Sequence, residues 1–403
     1  MMAAIVAARR GKNVVVIEKL KEPGAKLRAS GGGRCNLTNT LEKAEFINRF
    51  GREGKFMIPA LNRFDQSDLR DFLAQIGVKT HAPDGLRVFP VTHAAATVTE
   101  ALENEMKRLG VRLVTQQRAQ KIISDGNCVR GVITDKDKFF SGKILIACGG
   151  AGYPCLGTSG DGYELARSLG HKISDVFPAM LPLKTKEKWV ANCRANTIGK
   201  AEIRINLKKY AKLHAVGDLI FSIEGIRGPV VLDFSREITP ILSELKEVPI
   251  KVKLVAGMNE EQVRNKLKEA ALKHPNYSID QLIATFLPGP LAKELCLIAN
   301  ASPGCRPGNL PGEIKENLIK TITWTPLTIV GHEGFASAMV TRGGVKLKEV
   351  NPETLESRIV KGLYFSGEIL DLDGPCGGFN LQWAFSSGYL AGLQKSTQDS
   401  VKS

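Results

Sequence analysis

The chain has 403 residues, 43% hydrophobic and 24% charged, the proportions of an ordinary globular protein with room for two or three domains. Lysine and arginine outnumber aspartate and glutamate by 56 to 41, and the resulting net charge of +15 favours an anionic partner such as RNA, a nucleotide or an acidic membrane surface. The eight cysteines are scattered, with no Cys-x-x-Cys pair and no histidine at zinc-ligand spacing, and no apolar run approaches the roughly 20 residues of a membrane span, which argues against a disulfide framework, a structural metal and a membrane-embedded protein.

In chain order, residues 2–10 have helical character and stop at Gly11, after which "NVVVIEK" (13–19) reads as a buried parallel strand ending in an acid. The arginines of "MMAAIVAARRG" follow the apolar stretch, the reverse of a secretory signal, so a cytoplasmic location with free thiols is expected. "DLRDFLAQIG" (68–77) and "THAAATVTEALENEMKRLG" (92–110) carry amphipathic helical spacing. Residues 111–135 alternate like sheet around a turn at Asp125–Gly126, and "KILIACGG" (143–150) is a second buried strand running into glycines, followed by the helix "GDGYELARSLG" (160–170).

The pattern to residue 182 is α/β, with glycine-rich loops at the strand ends where open parallel sheets bind ligands. From 183 to about 256 short β-like segments ("AEIRINL", "GDLIFSI", "GPVVLDF") suggest a barrel or sandwich that resumes at 321–340, and 257–320 reads as a helical module. Residues 341–403 return to the first style, with strand "GLYFSGEI", loop "LDGPCGGFN" and helix "LQWAFSSGYLAGL". The expected plan is one α/β domain built from both chain ends and interrupted by a β-barrel-like module that carries the helices.

Three loops bear chemistry. Glu18 ends the first apolar strand, where an acid accepts hydrogen bonds from the ribose of a dinucleotide, although a surface glutamate fits the position equally well. In "SGGGRCNLTN" (30–39) Gly31, Gly32 and Gly33 let backbone N–H groups approach a phosphate or a ring, and Arg34 and Asn36 add a cation and an amide. Gly377 and Gly378 precede "FNLQWAF", placing the positive end of a helix just past a glycine turn, a setting suited to the N1–C2=O edge of a flavin.

Together "SGGGRCNLTN", "ACGGAGYPCLGTSGDGYELARSLGH" (147–171), "VTRGGV" (340–345) and "GLYFSGEILDLDGPCGGFNLQWAFSSGYLAG" (362–392) resemble the family of BaiN-like or aminoacetone-oxidase-like NAD(P)/FAD-dependent flavoproteins, nearly end to end and in the family's order. The resemblance implies FAD in a Rossmann-like, two-dinucleotide-binding-domain fold with barrel and helical insertions. It implies Glu18 at the ribose and Lys26 near the phosphates, with Ser30, Gly31, Gly32, Gly33, Arg34, Cys35 and Asn36 lining flavin and pyrophosphate. Ala119 is expected at the adenine, Gly149 and Gly150 over the cofactor, and Gly367, Glu368, Gly377, Gly378, Phe379, Asn380 and Leu381 around the pyrophosphate and the flavin's pyrimidine edge. Asp371 and Asp373 read equally as turn residues or ligand contacts.

The implied activity is NAD(P)H-linked reduction of a C=C bond conjugated to a carbonyl, in a small enone or in ribosomal RNA uridine. The basic stretch 184–212 reads as a solvated basic face or as a contact for RNA, and with the net charge it tilts the choice modestly towards RNA. An amine or aminoketone oxidase using O₂ is the alternative chemistry. Cys35 and His332 are candidate proton donors, although a small buried filler fits Cys35 and a structural histidine fits His332; His93 is a weaker candidate that fits a place near a helix start, and Trp383 and Phe385 are expected in the core.

Two departures from the family pattern stand out. Family members begin with an apolar strand and a Gly-x-Gly-x-x-Gly loop ahead of the helix that here starts at Met1, which points to a late-assigned start codon or to a truncated, non-catalytic nucleotide-binding remnant. Where the family often carries His and Ser, this chain has Ile223 and Arg227, a difference that bears on specificity if those positions meet substrate.

Overall fold

The computed structural model describes residues 1–393, so the last ten residues of the expected C-terminal part (341–403) lie outside the described residues. The chain forms two compact units, one made of residues 1–178 with 339 onward and the other of 179–338.

In the first unit the alanine-rich segment Met2–Arg9 is a helix, and the chain leaves it through Gly11 at φ 73°. It lies against the C-terminal helix Phe379–Gly392, whose Gly388 and Gly392 sit one turn apart. A Cβ on Gly392 would stand 2.8 Å from Val6 Cβ, and one on Gly388 3.3 Å from Met2 Cβ, so the two backbones meet only because both side chains are missing. Trp383 and Phe385 of the C-terminal helix are buried in the core, as their spacing predicts.

Two of the strand pairs are parallel, Val15–Ile17 with Arg112–Val114 and Ile144–Ile146 with Leu363–Phe365. The second pair is buried, with Ile144, Ile146 and all of Leu363–Phe365 in the core. The first differs from the buried strand expected at 13–19, because Val15 is 42% exposed and, among the described residues, the strand has one partner strand. The alternating stretch after residue 111 forms the antiparallel ladder Ala119–Asp125, Cys128–Thr134 and Lys138–Phe140.

The second unit contains a closed six-stranded antiparallel barrel in the order Leu183–Thr185, Gly225–Arg227, His214–Phe221, Thr197–Ile205, Val248–Lys253, Thr325–His332. Alternate residues such as Ile203, Leu219, Ile250 and Leu327 fill its interior, and closure leaves no free edge. "GPVVLDF" proves to be the start of the helix Pro229–Leu245 instead of a strand. Pro229 occupies the first turn, where its missing N–H is tolerated, and Val230, Val231, Phe234, Ile238, Ile241 and Leu242 make a buried stripe of helical period. Four further helices, Glu260–Lys273, Ile279–Ile283, Gly289–Ile298 and Gly312–Thr323, belong to the same unit. Among the described residues no helix is long and apolar enough to cross a membrane.

One buried carboxylate ties the N-terminal helix to the helix Ala95–Arg108. Glu105, 6% exposed, receives Arg9 through Nη2 at 2.6 Å and Arg108 through Nε at 2.7 Å. Hydrogen bonding from Arg108 leads the causes that hold its carboxyl at about 2, well below the ordinary 4.5. Because the folded-state value is depressed, the stabilisation is complete above the ordinary carboxylate value and is lost as pH falls towards about 2. Glu105→Gln is expected to destabilise by about 1–3 kcal/mol at neutral pH. Urea unfolding should show that gap closing under acid conditions; a pH-independent gap would mean that the side chain acts through packing alone.

Candidate cofactor site

The loop at 30–39 is shaped by its glycines. After the short helix Ala25–Ala29, Ser30 Oγ donates to the Leu27 carbonyl at 2.7 Å, and Gly31, Gly32 and Gly33 follow at φ 58°, 65° and 84°, a run that side-chain-bearing residues rarely adopt. Gly32 and Gly33 are exposed, and a Cβ on either would meet nothing within 4 Å, so the loop presents bare backbone to open space. Arg34 extends its guanidinium over the Phe89 ring, 5.6 Å from the centroid.

Cys35 sits where a small buried filler would. Its side chain is 0% exposed within the core cluster of Leu37 and Phe385, and burial pushes the thiol up to about 11 against a weaker opposing hydrogen bond with Ser30. The buried thiol packs beneath the loop.

Asn36 and its neighbours join this loop to the C-terminal glycine turn. With its amide oxygen towards Gly378, Asn36 accepts from the Gly378 N–H at 3.2 Å and donates to the Thr38 carbonyl at 3.3 Å. Asn39 Nδ2 donates to the Gly377 carbonyl at 2.9 Å. Gly378 lies at φ 85°, and a Cβ there would stand 2.5 Å from the Thr38 carbonyl oxygen. Gly378, the N-cap residue, has no side chain to cap the helix Phe379–Gly392, and Asn36 meets only the N-cap N–H, so the positive end of the first turn favours an acceptor. Asn380 holds the turn by hydrogen bonds with Gly374 at 2.7 and 2.8 Å, Phe379 packs against Phe46 with ring centroids 4.9 Å apart, and Leu381 is partly buried beside the N-terminal helix cluster.

A second group gathers around Glu368. Lys26 Nζ lies 2.7 Å from Glu368 Oε2, and Glu368 Oε1 accepts from the Thr341 N–H at 2.7 Å. Thr341 Oγ1 in turn accepts from the N–H groups of Ala151 and Gly152 at 2.8 and 3.1 Å, while a Cβ on Gly149 would stand 3.7 Å from Glu368 Oε2 and one on Gly150 would collide with Thr341. The Gly367 N–H donates to Ser387 Oγ at 2.9 Å, which links this group to the C-terminal helix.

At the first strand's end Glu18 Oε1 accepts from the Leu20 N–H at 2.9 Å, and its carbonyl accepts from the Gln117 N–H at 3.1 Å, bringing the lead into the Ala119 strand alongside. Lys19 and Arg118 converge there on Asp161, at 2.6 and 2.5 Å. The expectations from sequence omit Lys19, Arg118, Asp161 and Thr341. The last two lie inside the 147–171 and 340–345 motifs, yet the partners that give them a role are far away in sequence.

The remaining candidates have partners of their own. Asp371 accepts from Ser174 Oγ at 2.5 Å, and burial raises its pKa above the usual carboxylate value; Asp373 is buried. His332 belongs to the second unit, ends the last barrel strand and accepts the Gly334 N–H on Nδ1 at 3.0 Å. Burial lowers its pKa, favouring a neutral ring with its proton on Nε2. His93 stacks edge-on to His81, centroids 4.6 Å apart. Ile223 is 64% exposed in the turn before the strand Gly225–Arg227, whose last residue, Arg227, is also exposed.

A Rossmann-type α/β unit with glycine-lined loops, interrupted by a closed β-barrel and helices, defines the class. The model of the HI0933-like protein Rossmann domain matches residues 1–394, and the chain belongs to that family. It is 35% identical over 396 residues to a 3-dehydro-bile acid delta(4,6)-reductase of Clostridium scindens, covering 97% of this chain and 95% of the relative. To a ribosomal RNA dihydrouridine synthase of Escherichia coli it is 30% identical, covering 96% and 93%. Among solved structures, 3-ketosteroid delta1-dehydrogenase from Sterolibacterium denitrificans superposes with a TM-score of 0.52 at 10% identity, covering 97% and 96% of the two chains, a likeness of fold.

Two glycine substitutions separate backbone strain from steric blockage. Gly32→Ala is expected to cost about 1–2 kcal/mol, from its left-handed φ alone. Gly378→Ala adds a clash with Thr38 and is expected to cost roughly 3 kcal/mol or more. Urea denaturation of both variants checks the order; equal losses would mean that the turn at Gly378 yields without opening the seam.

Proposed function

We propose that this chain binds FAD non-covalently and reduces a C=C bond conjugated to a carbonyl, drawing its electrons from NAD(P)H. The observation that carries the reading is the seam in which Asn36 and Asn39 hold the bare Gly31–Gly33 loop against the positive end of Phe379–Gly392. An acceptor atom at the helix end, a planar group against bare backbone and an exposed guanidinium close by are what a flavin requires, and the donor set therefore fits FAD.

When bound, FAD supplies hydride for addition to the β-carbon. The protein's own groups do the rest. Arg34 and the helix end favour negative charge at the ring, Lys26 offers a cation to phosphate, and the carboxylate of Glu18 suits ribose hydroxyls. The substrate class is supported by the named activities of both relatives. Reduction of the uridine double bond and of a double bond next to a steroid carbonyl proceed by the same step, hydride at the β-carbon and a proton at the α-carbon.

Addition of FAD to the purified chain should give a yellow protein whose flavin is bleached anaerobically by NADH or NADPH and recoloured by a 4-en-3-one steroid, with loss of the enone absorbance. Arg34→Ala should weaken FAD binding about fivefold or more, the effect of one charge-assisted contact. Peroxide release with an aminoketone and no enone consumption would replace this reading with oxidase chemistry; a chain that stays colourless would remove the flavin.

A further inference from the structure

We infer that a cavity of the first unit, bounded by the segment that follows Asn39, the start of the helix Gln66–Gln75 and the C-terminal helix, is a binding site for a small neutral polyol of monosaccharide size. The inference goes beyond the reductase reading and does not depend on it.

The cavity has a volume of about 260 Å³, the share of roughly nine waters at about 30 Å³ each, which is room for a sugar ring with its hydroxyls. What marks it as a site is an orphaned acceptor. Gln382 is 1% exposed and lines the cavity, yet its Oε1 has no hydrogen-bond partner among the described residues. The orientation of this amide is set by its neighbours. Ser386 Oγ gives its proton to the Phe64 carbonyl at 2.6 Å and so accepts from Gln382 Nε2 at 2.9 Å; exchanging the two ends of the amide would set oxygen against oxygen. Gln66, across the cavity lining, repeats the pattern, for its Nε2 donates to Ser67 Oγ at 2.9 Å while its buried Oε1 has no partner among the described residues. Leaving a buried acceptor unpaired is costly, and two that border one polar cavity are both paired when a ligand with several donors enters.

The charged groups decide the class of that ligand. Asp65 spends Oδ1 on the N–H groups of Ser67 and Asp68 and leaves Oδ2 3.6 Å from Lys43 Nζ, so the cation of the lining is already matched by a carboxylate. Glu42 is exposed, where water screens it. A cationic ligand would compete with Lys43 for Asp65, and an anionic one would meet both carboxylates. The groups without partners are neutral amide oxygens, which call for donors that carry no full charge. Hydroxyls satisfy the whole set: they donate to Gln66, Gln382 and Asp65 Oδ2 and accept from Lys43, while the C–H face of a sugar ring packs on the buried side chains of Phe46 and Leu61.

Saturation-transfer NMR on the full chain, with methyl α-glucoside as the probe, tests the site by direct contact, a readout that the general stabilising effect of sugars on folded proteins does not move. Wild type should give saturable transfer with a dissociation constant in the millimolar range, and xylitol should compete. Gln66→Met, at the partly buried start of a helix, should weaken binding about fivefold or more, the effect of one hydrogen bond to an otherwise unpaired acceptor, with FAD binding left at the wild-type level. Gln382→Met should act in the same direction, with urea unfolding to show that the chain remains folded. Equal affinity in wild type and Gln66→Met, or no saturable transfer to wild type, would overturn the site and leave the cavity to water. Tighter binding of butylammonium or butyrate than of the glucoside would overturn the neutral class. A chain that takes up the glucoside but no flavin would refute the reductase reading and leave this site standing.

Discussion

The structure of the first unit depends on a single polar seam between segments nearly the whole chain apart. Asn39 joins Gly377 across 338 residues, and Asn36 and Thr38 meet Gly378 beside it. The side chain of Asn39 is 1% exposed and spends both amide functions, Nδ2 on Gly377 and Oδ1 on the Leu41 N–H at 3.2 Å, so no polar group is wasted in closing the seam. Closing it fixes where the helix Phe379–Gly392 begins. The same helix then packs on Met2–Arg9 through Gly388 and Gly392 and holds Gly367 through Ser387. A single helix thus sets the positions of the glycine loop, the N-terminal helix and the group around Glu368.

The electrostatics around Glu368 sharpen what the first unit can bind. Sequence reasoning gives Lys26 to a phosphate, and the folded chain gives it to Glu368 at 2.7 Å, with both side chains only partly exposed. An arriving phosphate must therefore share the lysine with a carboxylate that also accepts from the Thr341 N–H. Such a site holds its cation in place before binding and limits its net positive charge, which favours a ligand that also offers hydroxyl donors to the carboxylate over a bare anion.

The elements with strong local signals are legible from sequence. The helices at 68–77 and 92–110 appear as Gln66–Gln75 and Ala95–Arg108, and the turn at Asp125–Gly126 separates the expected hairpin strands. Local signals mislead where two periods overlap. "GPVVLDF" has the β-branched content of a strand, and only the longer stripe through Ile238 and Leu242 marks it as helix. Cys35 is hard to place for another reason, since Gly33 and Arg34 before it are exposed while a left-handed backbone at φ 61° accompanies its own burial. The glycine loops are visible in the sequence, but their pairing is not. Which loop faces which is decided by Asn36, Asn39 and Thr341, polar residues whose partners lie up to hundreds of positions away.

Charge shows the same limit most clearly. A net +15 says that anions are attracted but not where, and a linear scan finds a run from Lys184 to Lys212 that folding divides. Short salt bridges cancel its beginning, whereas the barrel's ladder sets its end beside Lys251 and Lys253 from a strand some fifty residues later. Because screening in water removes most of the field beyond about 8–10 Å, what a partner feels is the local surplus of unpaired cations and not the total. That surplus is a property of antiparallel register, and a shift by one residue would turn Lys251 and Lys253 into the barrel and expose Ile250 and Val252 in their place. The hydrophobic pattern that closes the barrel is therefore also what puts its charges in one row.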